Sequence, residues 1–297
     1  MKKCFCLILA ILLVFLGGCT AQKEKESILL AGGSEESKYH DIANVLKACA
    51  FSLWDGGEVI VKSGEIDASR MKAEKMQLAI VPADYLREDA GGITWAATLC
   101  YNSVHFVARK DISSLADLAG RRIYVSAENS KAARYTAEIL GSIGLSPADW
   151  TPVYRDFVDW ELNDSDAESV AVCVAVAPYT PLCVYAEDHP LHFVVPTKEE
   201  IKAVEDAIPY LKEHSVPAAT YERQGGAVDG LAVPVALAAD QSLSDKTVEK
   251  LTRLMYENRD LIAAACPQMR EFDRQDMQAD ALLPLHTGAK RFYQSIS

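Results

Sequence analysis

The sequence is poor in positive charge and shows no internal repeat. It carries 30 lysine and arginine residues against 42 aspartate and glutamate residues over 297 positions, for a formal net charge of -12 at pH 7. An acidic chain is a poor partner for nucleic acid or anionic lipid, because the phosphates of both repel it. The absence of repeats and of low-complexity segments gives no sign of a solenoid. A small solute in a cleft is compatible with this charge.

The cysteines form no metal or redox motif. None of the eight is spaced as C-x-x-C, so zinc and dithiol redox sites are unsupported. Five of them follow the first 19 residues and cannot all pair with one another; these are Cys49, Cys100, Cys173, Cys183 and Cys266. Most lie in apolar runs, where a small buried thiol is the ordinary outcome, and a bridge between Cys173 and Cys183 stays open.

The first residues have the organisation of an export signal. A basic start precedes an apolar segment of roughly a dozen residues at 4–16, which is too short to span a membrane. The sequence LGGC ending at Cys19 resembles a bacterial lipobox, in which small residues precede the cysteine that is acylated. We expect residues 1–18 to be a lipoprotein signal peptide and residues 19–27 a lipidated tether to the cell membrane, on the periplasmic face or cell surface. A secretory peptide with a chance cysteine is the alternative.

Strand and helix patterns alternate after the tether. Short apolar runs predict strands at residues 28–31, 59–62 and 77–81, with helical spacing between them at 42–53 and 66–74. This β-α-β-α-β order predicts a parallel sheet with right-handed crossovers.

The rest of the chain continues the alternation. Apolar runs predict further strands at residues 99–109, 121–125, 169–177 and 231–239. Helical spacing predicts helices at 132–143, across 201–211, and after Ser244, a good N-cap. The capping-box spacing of Ser114 and Asp117 predicts a single helical turn before the strand at 121.

The predicted fold is α/β with two lobes, each a mostly parallel sheet flanked by helices. Residues 28–108 and 222–297 are expected to form lobe 1, which contains both chain ends. Residues 109–221 are expected to form lobe 2, joined to lobe 1 by at least two crossings. About 270 residues are enough for two such lobes with cores of their own.

Three segments resemble one known family. Residues 104–122, VHFVARKDISSLADLAGRR, closely resemble the crossover of TAXI-family solute-binding proteins, the extracytoplasmic subunits of one branch of TRAP (tripartite ATP-independent) transporters. Residues 283–293, LPLHTGAKRFY, resemble the ending of that family. Residues 217–221, PAATY, resemble its P-A-G-T-Y turn, with Ala219 in place of glycine. The resemblance implies a type II periplasmic-binding-protein-like fold and delivery of a solute to TRAP membrane subunits.

Loops at strand ends carry the candidate ligand contacts. Such loops converge on the cleft of an α/β protein and offer backbone N–H groups at helix N-termini. In lobe 1 the candidates are Gly32, Gly33, Ser34, Tyr39, Ser63, Gly64 and Asp84. In lobe 2 they are Ser126, Glu128, Ser130, Pro178, Tyr179, Thr220 and Tyr221. The plain alternatives are solvated turns for the loops and half-buried aromatic side chains for the tyrosines.

The chemistry of the solute is left between two possibilities. The resemblance implies a small carboxylate or an amino acid such as glutamate. The loops depart from the family by losing glycines and gaining Glu35, Glu36 and Glu128, which favours a zwitterion or cation paired with one of these carboxylates.

Two other classes of protein remain as alternatives. An enzyme would need a catalytic residue, for which His105 is a candidate. However, His105 lies within an apolar strand, and no nucleophile motif accompanies it. Glu35, Glu36, Glu128 and Asp84 lack the spacing of a metal-binding loop. A lipoprotein that senses a ligand or docks a partner without transport is the other alternative. We expect a monomer without catalytic activity, cofactor or metal.

Overall fold

The computed structural model describes residues 26–64, 66–87, 90–162 and 166–296. The predicted signal peptide and Cys19 lie outside these residues. Within them, no helix combines the length and the apolar character that crossing a membrane requires.

The described strands belong to one ten-stranded sheet. They are β1 (Glu26–Ala31), β2 (Gly57–Lys62), β3 (Leu78–Pro82), β4 (Ile93–Ala108), β5 (Arg122–Tyr124), β6 (Thr151–Val153), β7 (Val170–Val176), β8 (His192–Phe193), β9 (Lys212–Val216) and β10 (Val228–Asp240). The described α-helices are α1 (Lys38–Leu53), α2 (Ala68–Ala73), α3 (Lys131–Ser142), α4 (Phe157–Glu161), α5 (Thr180–Asp188), α6 (Lys198–Ala207), α7 (Asp245–Glu257), α8 (Arg259–Ile262) and α9 (Thr287–Ser295).

The sheet order is β2-β1-β3-β10-β4-β7-β5-β6, with β8 on β4 and β9 on β10. At one end β1 pairs in parallel with both β2 and β3, and at the other end β5 pairs in parallel with both β6 and β7. The long strands β4 and β10 run antiparallel between these two groups. The outer strands of each half are therefore parallel, as the β-α-β order predicted for β1, β2 and β3, and the antiparallel pair β4 and β10 joins the two groups.

The central strands β3 and β4 are almost completely buried. All five residues of β3 are buried, and so are 15 of the 16 residues of β4. Strands covered on both faces favour continuous apolar sequence, which β3 has, whereas β4 also buries polar residues such as Asn102 and His105. Helix α7 begins at the predicted N-cap Ser244, whose side chain accepts a hydrogen bond from the Thr247 backbone N–H.

Residues from both chain ends pack into one core. Ile28 of β1, Leu46 of α1, Leu251 of α7 and Phe292 of α9 belong to the same buried cluster. Together with the helices on both faces of the sheet, this gives the predicted two-lobed α/β fold.

Some elements differ from the predictions. The apolar spacing across 201–211 predicted one helix, but α6 ends at Ala207, and Ile208 and Leu211 are buried beyond it. The short strands β6, β8 and β9 were not predicted, because their sequences TPV, HF and KEHSV contain no apolar run. All five cysteines of the described residues are free, so Cys173 and Cys183 form no bridge.

Candidate functional site

Two adjoining cavities lie where loops from both halves of the sheet meet. The polar cavity has a volume of about 460 Å³ and includes Asp67, Asp84, Arg87, Asn129 and Arg134 in its walls. The apolar cavity has a volume of about 130 Å³ and includes Ser34, Tyr39, Ile66, Ile80 and Pro82. Tyr85 and Lys131 line both cavities, so the two spaces adjoin at these side chains. We call the two cavities together the cleft.

Two glycines join the loops that follow β1 and β2. The Gly64 N–H donates a 2.8 Å hydrogen bond to the Gly33 carbonyl, and the two residues form an isolated antiparallel bridge. Gly33 has a φ of +75°, and a Cβ there would lie 2.8 Å from Ser37 Oγ. Ser37 caps α1 by accepting from the His40 N–H. Only glycine therefore lets this loop turn tightly into the helix.

Tyr39 provides a neutral hydrogen-bonding group in the apolar cavity. Its hydroxyl oxygen accepts a 2.6 Å hydrogen bond from the Asn102 side-chain amide. Burial raises the pKa of the Tyr39 phenol well above its usual value, so the group keeps its proton. An oxygen that accepts from Asn102 still has its own hydrogen to donate, which suits an acceptor on a bound solute.

The N-terminus of α3 forms the opposite wall. Ser130 is its N-cap: the side-chain oxygen accepts from the Ala133 N–H at 3.1 Å and donates to the Val125 carbonyl at 2.6 Å. The next residue, Lys131, holds its ammonium group 4.8 Å from the centre of the Tyr85 ring. The first N–H groups of a helix and its dipole favour negative charge, and Lys131 adds a full positive charge there.

Ion pairs cross the cleft. The Asp84 side chain is 1% exposed, and its Oδ2 lies 2.5 Å from Arg134 Nη2 on α3. Arg87 lies 3.7 Å from the Glu138 carboxylate of α3 and stacks over Tyr210 at 4.9 Å. The turn at residues 83–87, which follows β3, is therefore tied to the second half of the molecule.

The described residues in the walls of the polar cavity include three cationic and two acidic side chains. Arg87, Lys131 and Arg134 stand against Asp67 and Asp84 in its walls. Asp67 also caps α2 by accepting from the Arg70 N–H at 2.7 Å. With Asp84 paired to Arg134, the charged side chain that lines both cavities is the cation Lys131, which favours a negatively charged group on a ligand.

Only part of the predicted lobe 1 set lies in the cavity walls. Gly33, Ser34 and Tyr39 line the apolar cavity, and Asp84 lines the polar cavity. Gly32 lies behind them against Ala43, where a Cβ would come within 2.8 Å.

The other lobe 1 candidates lie beside the cavities. Gly64 is held by the bridge to Gly33. Ser63 is exposed and donates to Glu35 Oε1 at 3.3 Å.

The predicted residues of the 126–130 loop do not line the cleft cavities. Ser126 has a φ of +63° and donates its N–H to the Arg155 carbonyl. Ser130 is turned inward as the helix cap, so its neighbours Asn129 and Lys131 reach the cavity instead. Glu128 lines a separate 260 Å³ pocket with Trp150 and Tyr154.

The three acidic residues expected to pair with a cationic solute lie elsewhere. Glu35, Glu36 and Glu128 are all exposed, and none of them is among the residues lining either cavity of the cleft. The structure therefore gives no support to a cation held by these carboxylates.

Two of the last four candidates, Tyr179 and Tyr221, belong to a packed group of side chains. Tyr221 is 3% exposed; its hydroxyl accepts from the Tyr179 N–H at 3.2 Å and lies 3.2 Å from His105 Nε2. We call His105, Tyr179, Phe193 and Tyr221 the aromatic cluster. Burial lowers the pKa of His105 to about 4, with a smaller contribution from His214.

The aromatic cluster leaves no room for a solute. The cavity beside His105 has a volume of about 10 Å³, which is about the least that can hold one water molecule. Thr220 closes the adjoining turn by donating its hydroxyl to the Pro217 carbonyl, and Pro178 is exposed on the turn after β7.

The most informative side chains were missed at the sequence level. Lys131, Arg134 and Arg87 carry the charge of the cleft, and none belongs to a motif. The one available signal was Ser130, because an N-cap serine places the next side chain at a helix N-terminus. The described residues contain no group of three or more His, Cys, Asp or Glu side chains placed to hold a metal ion.

Comparison with known proteins places the chain in a family. The model of the NMT1-like family matches residues 59–296, and the chain belongs to that family. Comparison with curated protein sequences gives no significant match.

Two solved structures are similar over most of their length. One is a TctC solute-binding protein from Polaromonas, at 11% identity and a TM-score of 0.53, over 91% of this chain and 96% of that chain. The other is a Streptococcus mutans chain whose structure is described in terms of glutathione import via GshT and the cystine ABC importer TcyBC. It has 13% identity and a TM-score of 0.50, over 85% of this chain and 100% of that chain. At these identities the likeness establishes the fold, which is that of two-lobed periplasmic binding proteins.

Proposed function

We propose that this protein is the extracytoplasmic solute-binding subunit of a TRAP-type secondary transporter, of the TAXI type. It captures a small organic carboxylate or amino acid and performs no catalysis. The observation that carries the proposal is the cleft itself, where strand-end loops of both halves enclose two adjoining cavities around Lys131 at the N-terminus of α3. A concave site with few converging polar groups is the usual form of a small-molecule site.

The two halves act as lobes that close over the solute. We assign residues 28–108 and 222–297 to lobe 1 and residues 109–221 to lobe 2. The pairs Asp84 with Arg134 and Arg87 with Glu138 cross this boundary and stabilise the closed arrangement. Closure buries the solute and presents one shape to the membrane subunits.

The first 27 residues export the protein and anchor it to the membrane. Residues 1–18 direct secretion, and Cys19 is acylated, so that the lobes stay at the outer side of the cell membrane through the 19–27 tether. A monomer suffices for this role, because the cleft lies within one chain.

A thermal-shift screen of the mature chain tests the binding function. The panel contains dicarboxylates, monocarboxylates, amino acids, polyamines and neutral metabolites. A solute present at a hundredfold its dissociation constant adds about 2.7 kcal/mol to the free energy of unfolding and raises Tm by a few degrees. We expect a carboxylate-bearing solute to give this shift.

Lys131→Gln is the matched test of the site, and Lys202→Gln on the exposed face of α6 is its control. The first variant should lose most of the shift, and the second should keep it. Stabilisation by polyamines alone, or an equal shift in both variants, would contradict an anion site at Lys131. No shift with any solute would contradict the binding function.

A further inference from the structure

The apolar cavity has the volume of a single ring. It measures about 130 Å³. A cavity of about 150 Å³ lined by aliphatic and aromatic side chains is known to accept one benzene molecule. The apolar cavity therefore matches one six-membered ring or a branched aliphatic group of the same size.

Its lining excludes a second charged group. Ile66, Ile80, Val81 and Pro82 are buried side chains that form one wall, and the ring of Tyr39 forms another. Lys131 is the charged residue among the described lining residues and can face one anionic group, so a second carboxylate placed there would lose its hydration without a cation to replace it, which is strongly unfavourable. A ring placed there gains from removal of its apolar surface from water.

Among the described residues that line the apolar cavity, Lys131 is the charged one. Lys131 lines both cavities and lies over Tyr85, and the N-terminus of α3 begins at the same residue. A negative group attached to the ring would meet both. The polar cavity beyond, with Arg87 and Arg134 in its walls, leaves space for polar substituents on the same molecule.

Building on the proposed solute-binding function, we propose that the solute is a small organic anion with one ring. The ring occupies the apolar cavity, the anionic group lies at Lys131 and the N-terminus of α3, and the Tyr39 hydroxyl donates to an acceptor on the ring. Ser34, Ile66 and Tyr39 then select for the ring, and glutamate lacks the feature that this cavity recognises.

Titration calorimetry on the mature chain tests this assignment. The probes are phenylacetate and benzoate as ring-bearing anions, acetate and glutamate as ring-less anions, and benzyl alcohol as a ring without charge. Phenylacetate should bind at least tenfold more tightly than acetate and than glutamate. Lys131→Gln should weaken phenylacetate binding at least tenfold and leave benzyl alcohol binding unchanged.

A second variant tests the cavity without disturbing the core. Ser34 is exposed and lines the apolar cavity, so in Ser34→Trp a large side chain occupies the ring position from the solvent side. Phenylacetate affinity should fall at least tenfold while Tm without solute stays within a few degrees of the unmodified chain. Lys202→Gln serves as the neutral control for both measurements.

The outcomes separate this inference from the proposed function. If glutamate or acetate binds as tightly as phenylacetate, or if Ser34→Trp binds phenylacetate like the unmodified chain, the ring assignment is wrong and the solute-binding function stands. If no small solute of the wider thermal-shift panel binds at all, the function fails together with the inference.

Discussion

The cleft and the aromatic cluster are built from the same kinds of residue. Each has a tyrosine whose hydroxyl accepts a hydrogen bond, Tyr39 from Asn102 and Tyr221 from the Tyr179 backbone. Each also lies beside turns that follow strands. The cleft encloses cavities of about 460 and 130 Å³, whereas the space beside His105 is about 10 Å³.

The difference shows what converts a strand-end turn into a binding site. In the cleft, α3 presents its N-terminus and Lys131 across a gap, so charge and empty volume coincide. In the aromatic cluster, the rings of Phe193 and Tyr221 pack against His105 with centroids 5.1 and 5.7 Å away, and the polar groups satisfy one another. The first region is suited to binding and the second to stability.

The largest expected effect is the loss of a packed aromatic ring. Tyr221→Ala should lower the free energy of unfolding by about 3–5 kcal/mol, the cost of deleting a buried aromatic ring from a full core. Tyr39→Ala should cost only about 1–2 kcal/mol, because one side of that ring already borders a cavity. Urea denaturation of both variants measures the difference. Equal losses would remove the distinction between the two regions.

The pH dependence of stability sharpens the same contrast. The pKa of His105 is about 4 in the folded chain against 6.5 for the free side chain. The unfolded chain therefore binds a proton first as pH falls, so stability present above pH 6.5 is lost between 6.5 and 4. At 1.36 kcal/mol per pKa unit, His105 accounts for up to about 3 kcal/mol of this loss.

Urea midpoints between pH 7 and 4.5 check the effect. Burial also lowers the pKa of His214 to about 4, so His105→Phe should reduce the slope without abolishing it. The cleft variant Tyr39→Phe should keep the full slope. A slope unchanged in His105→Phe would show that this imidazole is not the group that titrates.

The ion pair across the cleft should outweigh a pair on the surface. Arg134→Met leaves the buried Asp84 carboxylate without its partner, and because the arginine is 34% exposed we expect a loss of about 2 kcal/mol. Lys202→Met breaks a pair whose side chains are 74% and 67% exposed, and should cost less than about 0.5 kcal/mol. Equal urea midpoints for the two variants would mean that solvent screens Asp84 as well.

The smallest expected effect concerns two strained turns, one in the loop before α3 and one beside the aromatic cluster. Ala219 and Ser126 have φ values of +62° and +63°, a conformation that disfavours residues with a Cβ. Ala219→Gly and Ser126→Gly should each raise the free energy of unfolding by about 0.5–1 kcal/mol, the strain relieved less the entropy of glycine. Thermal melting detects this. A decrease in Tm would show that other contacts of the turn compensate for the strain.

Ala219 and Ser126 also show how far a resemblance can be followed. Ala219 stands where the resemblance has glycine, and both residues adopt the backbone conformation that glycine normally adopts. The resemblance therefore pointed to the backbone of the 217–221 turn. The resemblance did not predict which side chains line the cavity. Ser130 caps the helix and is turned inward, so the next residue, Lys131, lines the cavity instead.

The sequence by itself determined the elements whose signal is local. The parallel strands β1, β2 and β3 follow from continuous apolar runs, and the start of α7 follows from its N-cap Ser244. Only the tertiary structure decided which polar residues meet. Lys131 is 46 residues from Tyr85 and 92 from Tyr39, and only the packing of two lobes across one sheet places them around the same cavities. Likewise, the turn at Tyr221 resembles a ligand loop in sequence, but its side chains are packed rather than open to a solute. The sequence does not show this packing, because burial depends on neighbours that are distant along the chain.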